Sequence, residues 1–215
     1  MKRKVSGLYA ITPDIADTPG LIATAEAALA GGARLLQYRN KPAAPALRLA
    51  QARALLALCR RFRVPLIIND HLDLALAVAP DGLHLGAEDG SLAVARKRLG
   101  PAKILGASCY DRLELAVEAE RLGADYVAFG SFFPSSVKPG AVRAPLALLR
   151  DAKRRLSVPV VAIGGITLEN APQLIAAGAD GIAVVSALFG ADDVGLAARR
   201  FSALFAQREL ATRHS

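Results

Sequence analysis

Short apolar runs recur along the chain at fairly even spacing, over residues 8–12, 35–39, 66–69, 82–86, 104–109, 126–131, 160–164 and 182–186. Each has the length of a strand, and most intervals between them carry Ala, Leu, Arg and Glu at helical spacing. Leu47, Ala50, Ala54, Leu58 and Phe62 fall on one side of such a helix, and Leu115, Ala119 and Leu122 on one side of another, with Glu114, Glu118 and Arg121 turned to water. Asp111 stands where a cap for the latter belongs, with Glu114 three positions on, and Thr167 is a cap for the segment after the seventh strand. Gly31-Gly32-Ala33-Arg34, Gly123-Ala124-Asp125-Tyr126 and Gly178-Ala179-Asp180-Gly181 echo one another between a helix end and a strand start, where glycine terminates helices.

Alternating strands and helices, with strands apolar on both faces, require a parallel sheet covered by helices. Eight such units predict closure into an α/β fold of the (β/α)8 TIM-barrel kind, one domain over residues 1–215, with 199–215 as a final helix or a loose tail. A doubly wound open sheet is the competing architecture, but its GxGxxG mark after the first strand is absent.

Barrel chemistry occupies the loops beyond the carboxyl ends of the strands. Those positions are polar here: Gln37-Tyr38-Arg39-Asn40-Lys41 after the second strand, Asn69-Asp70-His71 after the third, Gly86-Ala87-Glu88-Asp89 after the fourth and Ser108-Cys109 after the fifth. The sixth runs into Pro134-Ser135-Ser136-Val137-Lys138-Pro139-Gly140, the seventh into Gly164-Gly165 and the eighth into Val185-Ser186. Bare glycine backbone after strand seven and Ser186 after strand eight suit a phosphate, although Gly164-Gly165 also serves simply to turn the chain. Asp70 and Asp89, each by itself a plausible helix cap, together on one rim suit Mg²⁺, which takes one or two carboxylates plus water and phosphate oxygens. Arg39, Lys41 and Lys138 add positive charge there. His84 lies inside its strand and reads as a hydrogen-bonded core histidine. Alternation allows only one of Ser108 and Cys109 to face inward, and Ser108 is the site candidate; Cys59 reads as packing.

Composition narrows the classes. The chain of 215 residues is 53% apolar and 21% charged, which excludes disorder, and no run reaches the roughly 18 apolar residues of a membrane span. The basic start Met1-Lys2-Arg3-Lys4 is followed by Gly7, Thr12, Pro13 and Asp14 rather than an apolar signal core, so a cytoplasmic location is expected. Two cysteines without CxxC spacing, and His71, His84 and His214 at no zinc interval, speak against a disulfide framework or zinc. A net charge of +8 suits anionic small-molecule substrates. Without basic runs interleaved with aromatics it does not suggest nucleic acid. A homo-oligomer is compatible with the sequence.

Taken together, Gln37-Tyr38-Arg39-Asn40-Lys41, Ile68-Asn69-Asp70, Asp81-Gly82-Leu83-His84-Leu85-Gly86, Gly130-Ser131-Phe132-Phe133-Pro134-Ser135, Lys138-Pro139, Ala162-Ile163-Gly164-Gly165-Ile166 and Gly181-Ile182-Ala183-Val184-Val185-Ser186 are a specific set. On these motifs, from residue 8 to about residue 189, the chain resembles the thiamine phosphate synthase family. The resemblance implies a (β/α)8 barrel and Mg²⁺-dependent, dissociative transfer of an aminopyrimidine methylene group from diphosphate to the nitrogen of a thiazole phosphate. It implies a pyrimidine diphosphate site at Gln37, Tyr38, Arg39, Asn40, Lys41, Asn69, Ser108 and Lys138. Arg39, Lys41, Ser108 and Lys138 would serve the chemistry. It further implies a thiazole phosphate site at Ser135, Ser136, Val137, Gly165, Val185 and Ser186, and Mg²⁺ on Asp70 and Asp89. The family often has an acid where this chain has Asn40 and a Thr where it has Val137. A thiazole tautomerase of the same superfamily and an inert phosphate-binding barrel are the rival readings. The first needs no Mg²⁺, and the second leaves Asp70 and Asp89 without a purpose.

Overall fold

The structure, a computed structural model, describes residues 5–134 and 142–213, with side chains to residue 206. In chain order the elements are β1 (Gly7–Ile11), α1 (Thr18–Ala30), β2 (Leu35–Tyr38), α2 (Pro45–Phe62), β3 (Leu66–Asn69), α3 (Leu72–Val78), β4 (Gly82–Leu85), α4 (Leu92–Leu99) and β5 (Ile104–Tyr110). They continue with α5 (Leu113–Arg121), β6 (Tyr126–Phe129), α6 (Ala147–Arg155), β7 (Val160–Ile163), α7 (Ala171–Ala176), β8 (Gly181–Val184), α8 (Ser186–Phe189) and α9 (Val194–Arg213). All strand pairs are parallel and sequential, and β8 closes on β1 through Gly7↔Gly181 and Tyr9↔Ala183.

Strand alternation divides the core into two layers. Tyr9, Ile11, Leu35, Ile67, Ile104, Tyr126, Ala128, Val161 and Ala183 fill the barrel interior. Their neighbours in sequence, such as Leu8, Leu36, Ile68, Leu83, Leu105 and Val127, face outward and pack with the helices. α9 packs against α1, α7, α8 and β1, with Phe201 and Phe205 buried, so the C-terminal segment through Arg213 is a helix of the fold. Among the described residues no helix is long and apolar enough to cross a membrane.

The echoed glycines share one geometry. Gly32, Gly123 and Gly178 have φ of 101°, 91° and 112°. The next residue's amide reaches back five positions each time: Ala33 to Ala28 (3.1 Å), Ala124 to Ala119 (2.9 Å) and Ala179 to Leu174 (3.0 Å). These are Schellman termini, in which a left-handed glycine lets the last carbonyls find donors. A second repeated device follows: Asp81, Asp125 and Asp180 accept an amide from the first or second residue of the preceding odd-numbered strand, at Leu66, Leu105 and Val160.

Three local expectations are corrected. The buried stripe of α2 is Gln51, Ala52, Leu55, Leu56, Leu58 and Cys59, whereas Ala50 is exposed; the helix is turned so that Gln51 reaches the loop after β1. α5 begins at Leu113 with Arg112 at its N-cap and no side-chain cap, because β5 runs on to Tyr110, whose φ of 52° turns the chain and leaves Asp111 on the rim. Asn170, not Thr167, precedes α7, and its Oδ1 accepts the Thr167 amide.

Candidate active site

A cavity of about 830 Å³ opens at the carboxyl ends of the strands. Among the described residues it is lined by Gln37, Arg39, Lys41, Asn69, Asp70, Asp89, Ser108, Gly165, Val185 and Ser186, so candidates from the ends of six strands meet in one volume. Lys138, Ser135, Ser136 and Val137 lie outside the described residues, although Pro134 and Val142, on either side of that segment, both line the cavity.

Tyr38 and Asn40 do not line the cavity; they face the helical layer. Tyr38 is buried and its hydroxyl donates to Gln51 Oε1 at 2.8 Å. Asn40 Nδ2 donates to the Ile15 carbonyl (2.8 Å) and to Gln51 Oε1 (2.9 Å). Gln51 Nε2 in turn donates to Ile15 O at 2.9 Å. This buried amide cluster ties the loop after β2 to the loop after β1. A carboxylate has no hydrogen for those two acceptors, so the arrangement requires the amide present here.

The loop after β1 supplies residues that the sequence reading missed. Thr12 Oγ1 donates to the Arg39 carbonyl and accepts the Arg39 amide, both at 2.9 Å. Both Asp14 carboxylate oxygens lie 2.9 Å from Arg39 NH1, and Oδ1 also accepts the Lys41 amide at 2.9 Å. Arg48 donates to the carbonyls of Lys41 and Ala43. Thr12 and Asp14 follow a strand as the other candidates do, and that position is the signal by which they are found.

Asp70 and Asp89 face each other on the same rim. Asp70 sits at φ 62°, a left-handed conformation that Asp tolerates better than most residues. Lys41 Nζ lies 3.1 Å from Asp70 Oδ2. Asp89 Oδ2 accepts the Gly86 amide at 3.0 Å. Burial raises the Asp89 carboxyl above its ordinary value, and the adjoining Asp70 carboxylate raises it further. A carboxyl whose ionisation is opposed by a neighbouring carboxylate is a fit for a divalent cation. The described residues bring no third His, Cys, Asp or Glu to the pair, which leaves the remaining positions to water and phosphate oxygens, as Mg²⁺ prefers.

Below the rim runs a hydrogen-bonded series. Gln37 Nε2 donates to Tyr9 Oη (2.8 Å), Tyr9 Oη meets Tyr126 Oη (2.8 Å), Tyr126 Oη meets His84 Nδ1 (2.8 Å), and His84 Nε2 meets Ser108 Oγ (2.9 Å). His84 is therefore buried and hydrogen-bonded, and it also lines the cavity. Burial lowers its ring to about 4, so it is neutral near pH 7. Tyr126 fits because Gly106, its partner across the strand pair, has no side chain: a Cβ there would overlap the tyrosine ring. Cys109 points outward into the helical layer, and burial pushes both its thiol and that of Cys59 up to about 12.

At the opposite wall Gly164 and Gly165 have φ of 101° and 62°. A Cβ on Gly164 would meet the Ser131 side chain, and one on Gly165 would meet the backbone of Phe133 and Pro134. Glycine is thus demanded by close packing of the β6 loop, and the same bare backbone leaves Gly165 beside Val185 and Ser186 on the cavity wall.

The family model described as thiamine monophosphate synthase matches residues 8–188. A thiamine-phosphate synthase of Methylobacillus flagellatus is 58% identical over 201 residues, covering 94% of this chain and 96% of that protein. One from Nitrosomonas eutropha is 57% identical over 202 residues, covering 94% and 95%. Among solved structures, the thiamine phosphate pyrophosphorylase from Pyrococcus furiosus superposes with a TM-score of 0.83 at 38% identity, covering 94% of this chain and 96% of that one. A KDPGal structure with a TM-score of 0.76 at 17% identity shares the fold alone. With the barrel closed and the motif residues gathered on one rim, the chain belongs to the thiamine-phosphate synthase family and is an enzyme of the transferase class.

Proposed function

We propose that this protein joins 4-amino-2-methylpyrimidine-5-methyl diphosphate to 4-methyl-5-(2-phosphooxyethyl)thiazole, releasing thiamine phosphate and diphosphate. The observation that carries the reading is the Asp70–Asp89 pair beside Lys41 and Arg39 in a cavity whose far wall is the Gly165–Ser186 backbone. Two anionic substrates need two positive or amide-rich ends with room between them, and the cavity has that form.

In this reading Asp70 and Asp89 hold Mg²⁺. When bound, the ion neutralises the departing diphosphate. Arg39 and Lys41 hold the same leaving group by preorganised charge, with Asp14 fixing Arg39 and the Lys41 backbone in place. The carbon–oxygen bond to diphosphate breaks first, its electron pair leaving with oxygen. The aminopyrimidine ring spreads the positive charge of the methylene carbon, and the thiazole nitrogen then supplies the pair for the new carbon–nitrogen bond. No protein nucleophile is required. The residues' task is to hold both rings in line and to keep Gln37 and Ser108 on the pyrimidine. Gly165, Val185 and Ser186 take the thiazole phosphate.

The test is to incubate the protein with both substrates and Mg²⁺ and to quantify thiamine phosphate and diphosphate. Equimolar appearance of the two is expected. Conversion of a thiazole phosphate isomer without diphosphate release would instead make it a tautomerase.

A further inference from the structure

We propose that Gln37, Tyr9, Tyr126, His84 and Ser108 form one hydrogen-bond chain with a fixed direction, in which Tyr9, Tyr126 and His84 are positioning residues that make Ser108 a hydrogen-bond donor into the cavity. The argument is a count of hydrogens. Gln37 places its amide nitrogen on Tyr9 Oη at 2.8 Å, so the Tyr9 oxygen is an acceptor there and its own hydrogen must go to Tyr126, 2.8 Å away. The Tyr126 hydrogen then goes to His84 Nδ1, also at 2.8 Å. A neutral His84 accepting on Nδ1 carries its hydrogen on Nε2 and donates it to Ser108 Oγ at 2.9 Å. Of the hydroxyl and imidazole hydrogens in the series, the one left over is that of Ser108, which faces the cavity. With the Gln37 amide nitrogen on Tyr9 Oη, reversing any later link, or protonating His84 on both nitrogens, strands a hydroxyl hydrogen inside the barrel, where an unsatisfied polar group is expensive.

The chain has a consequence for selectivity, which rests on the function proposed above. With its nitrogen turned to Tyr9, Gln37 keeps its carbonyl oxygen as an acceptor, while Ser108 offers a hydrogen. A ligand ring bearing both an exocyclic amine and an unprotonated ring nitrogen satisfies both, as an aminopyrimidine does; a thiazole phosphate has no amine to give. The three positioning residues contribute to this without touching the ligand's reacting atoms. Tyr126 is fully buried and is held over Gly106.

The direction is read directly by long-range ¹H–¹⁵N NMR on histidine-labelled protein without substrate, the His84 signals being assigned with His84→Gln. A neutral Nε2–H tautomer is expected; an Nδ1–H tautomer overturns the proposal, independently of whether the protein makes thiamine phosphate. The second arm is kinetic. Tyr126→Phe is expected to raise KM for the aminopyrimidine diphosphate about tenfold while KM for the thiazole phosphate stays within twofold. An unchanged aminopyrimidine KM in a folded variant overturns the positioning role. Should Tyr126→Phe fail to fold, Tyr9→Phe, which releases the Gln37 amide, is read by the same KM split.

Discussion

Lys41 Nζ lies 3.1 Å from Asp70 Oδ2, so a cation from the β2 loop already leans on one of the two rim carboxylates. In the proposed reaction this ammonium exchanges the carboxylate for a diphosphate oxygen. Lys41→Ala is therefore expected to lower kcat/KM for the aminopyrimidine diphosphate about a hundredfold. The side chain is half exposed, so its removal is expected to change folding stability by less than about 1 kcal/mol. Steady-state kinetics alongside urea unfolding checks both halves.

The loop after β1 sets the position of Arg39. Asp14→Asn keeps an acceptor for the Lys41 amide but removes the charge facing the guanidinium. The expected result is a drop in kcat of about tenfold, with CD spectrum and melting curve close to wild type. Equal kcat would remove Asp14 from the account.

Gly106 is a packing requirement rather than a turn. Gly106→Ala pushes a methyl into the Tyr126 ring, and overpacking of this kind costs about 1–3 kcal/mol. Loss of stability measured by denaturant, together with a disturbed His84 NMR signal, is the expected pair of observations.

His84 ties stability to pH. In the unfolded chain its ring takes a proton near 6.5, whereas in the barrel burial holds that back to about 4. Between those values the unfolded state binds more protons, so acid favours unfolding. The contribution of His84 is complete above pH 6.5 and falls by about 1.4 kcal/mol per pH unit as pH drops toward 4. Urea unfolding of wild type and His84→Gln from pH 7 to 4 should give converging stabilities as pH falls; parallel curves would contradict the assignment.

How much was legible in the sequence follows from what strand alternation can say. All eight strands were placed within about two residues, because continuous apolar runs between glycine-terminated helices mark a parallel barrel. The rim was legible too, since the fold fixes which strand end carries chemistry. The alternation that separates Ser108 from Cys109 also separates Gln37 and Arg39 from Tyr38 and Asn40, and there the run of polar types masked it. Thr12 and Asp14 were missed because they act through Arg39 and Lys41, by contacts across 27 and 25 positions that local pattern does not report. The α2 face was misplaced because a buried glutamine, satisfied by Ile15, Tyr38 and Asn40, counts as polar in any hydrophobic stripe. The Gly-Ala-Asp echo was visible, but the amides near the strand starts held by Asp125 and Asp180 are a tertiary fact.

The central claim is that Asp70 and Asp89 hold the ion that lets diphosphate leave. The most direct measurement is thiamine phosphate formation by wild type and Asp70→Ala as Mg²⁺ is titrated into chelator-treated protein. The account predicts no product from wild type in chelator, full recovery with Mg²⁺, and at least a hundredfold slower formation by Asp70→Ala at saturating Mg²⁺ with the fold intact. Equal turnover by wild type in chelator and in excess Mg²⁺ would contradict it.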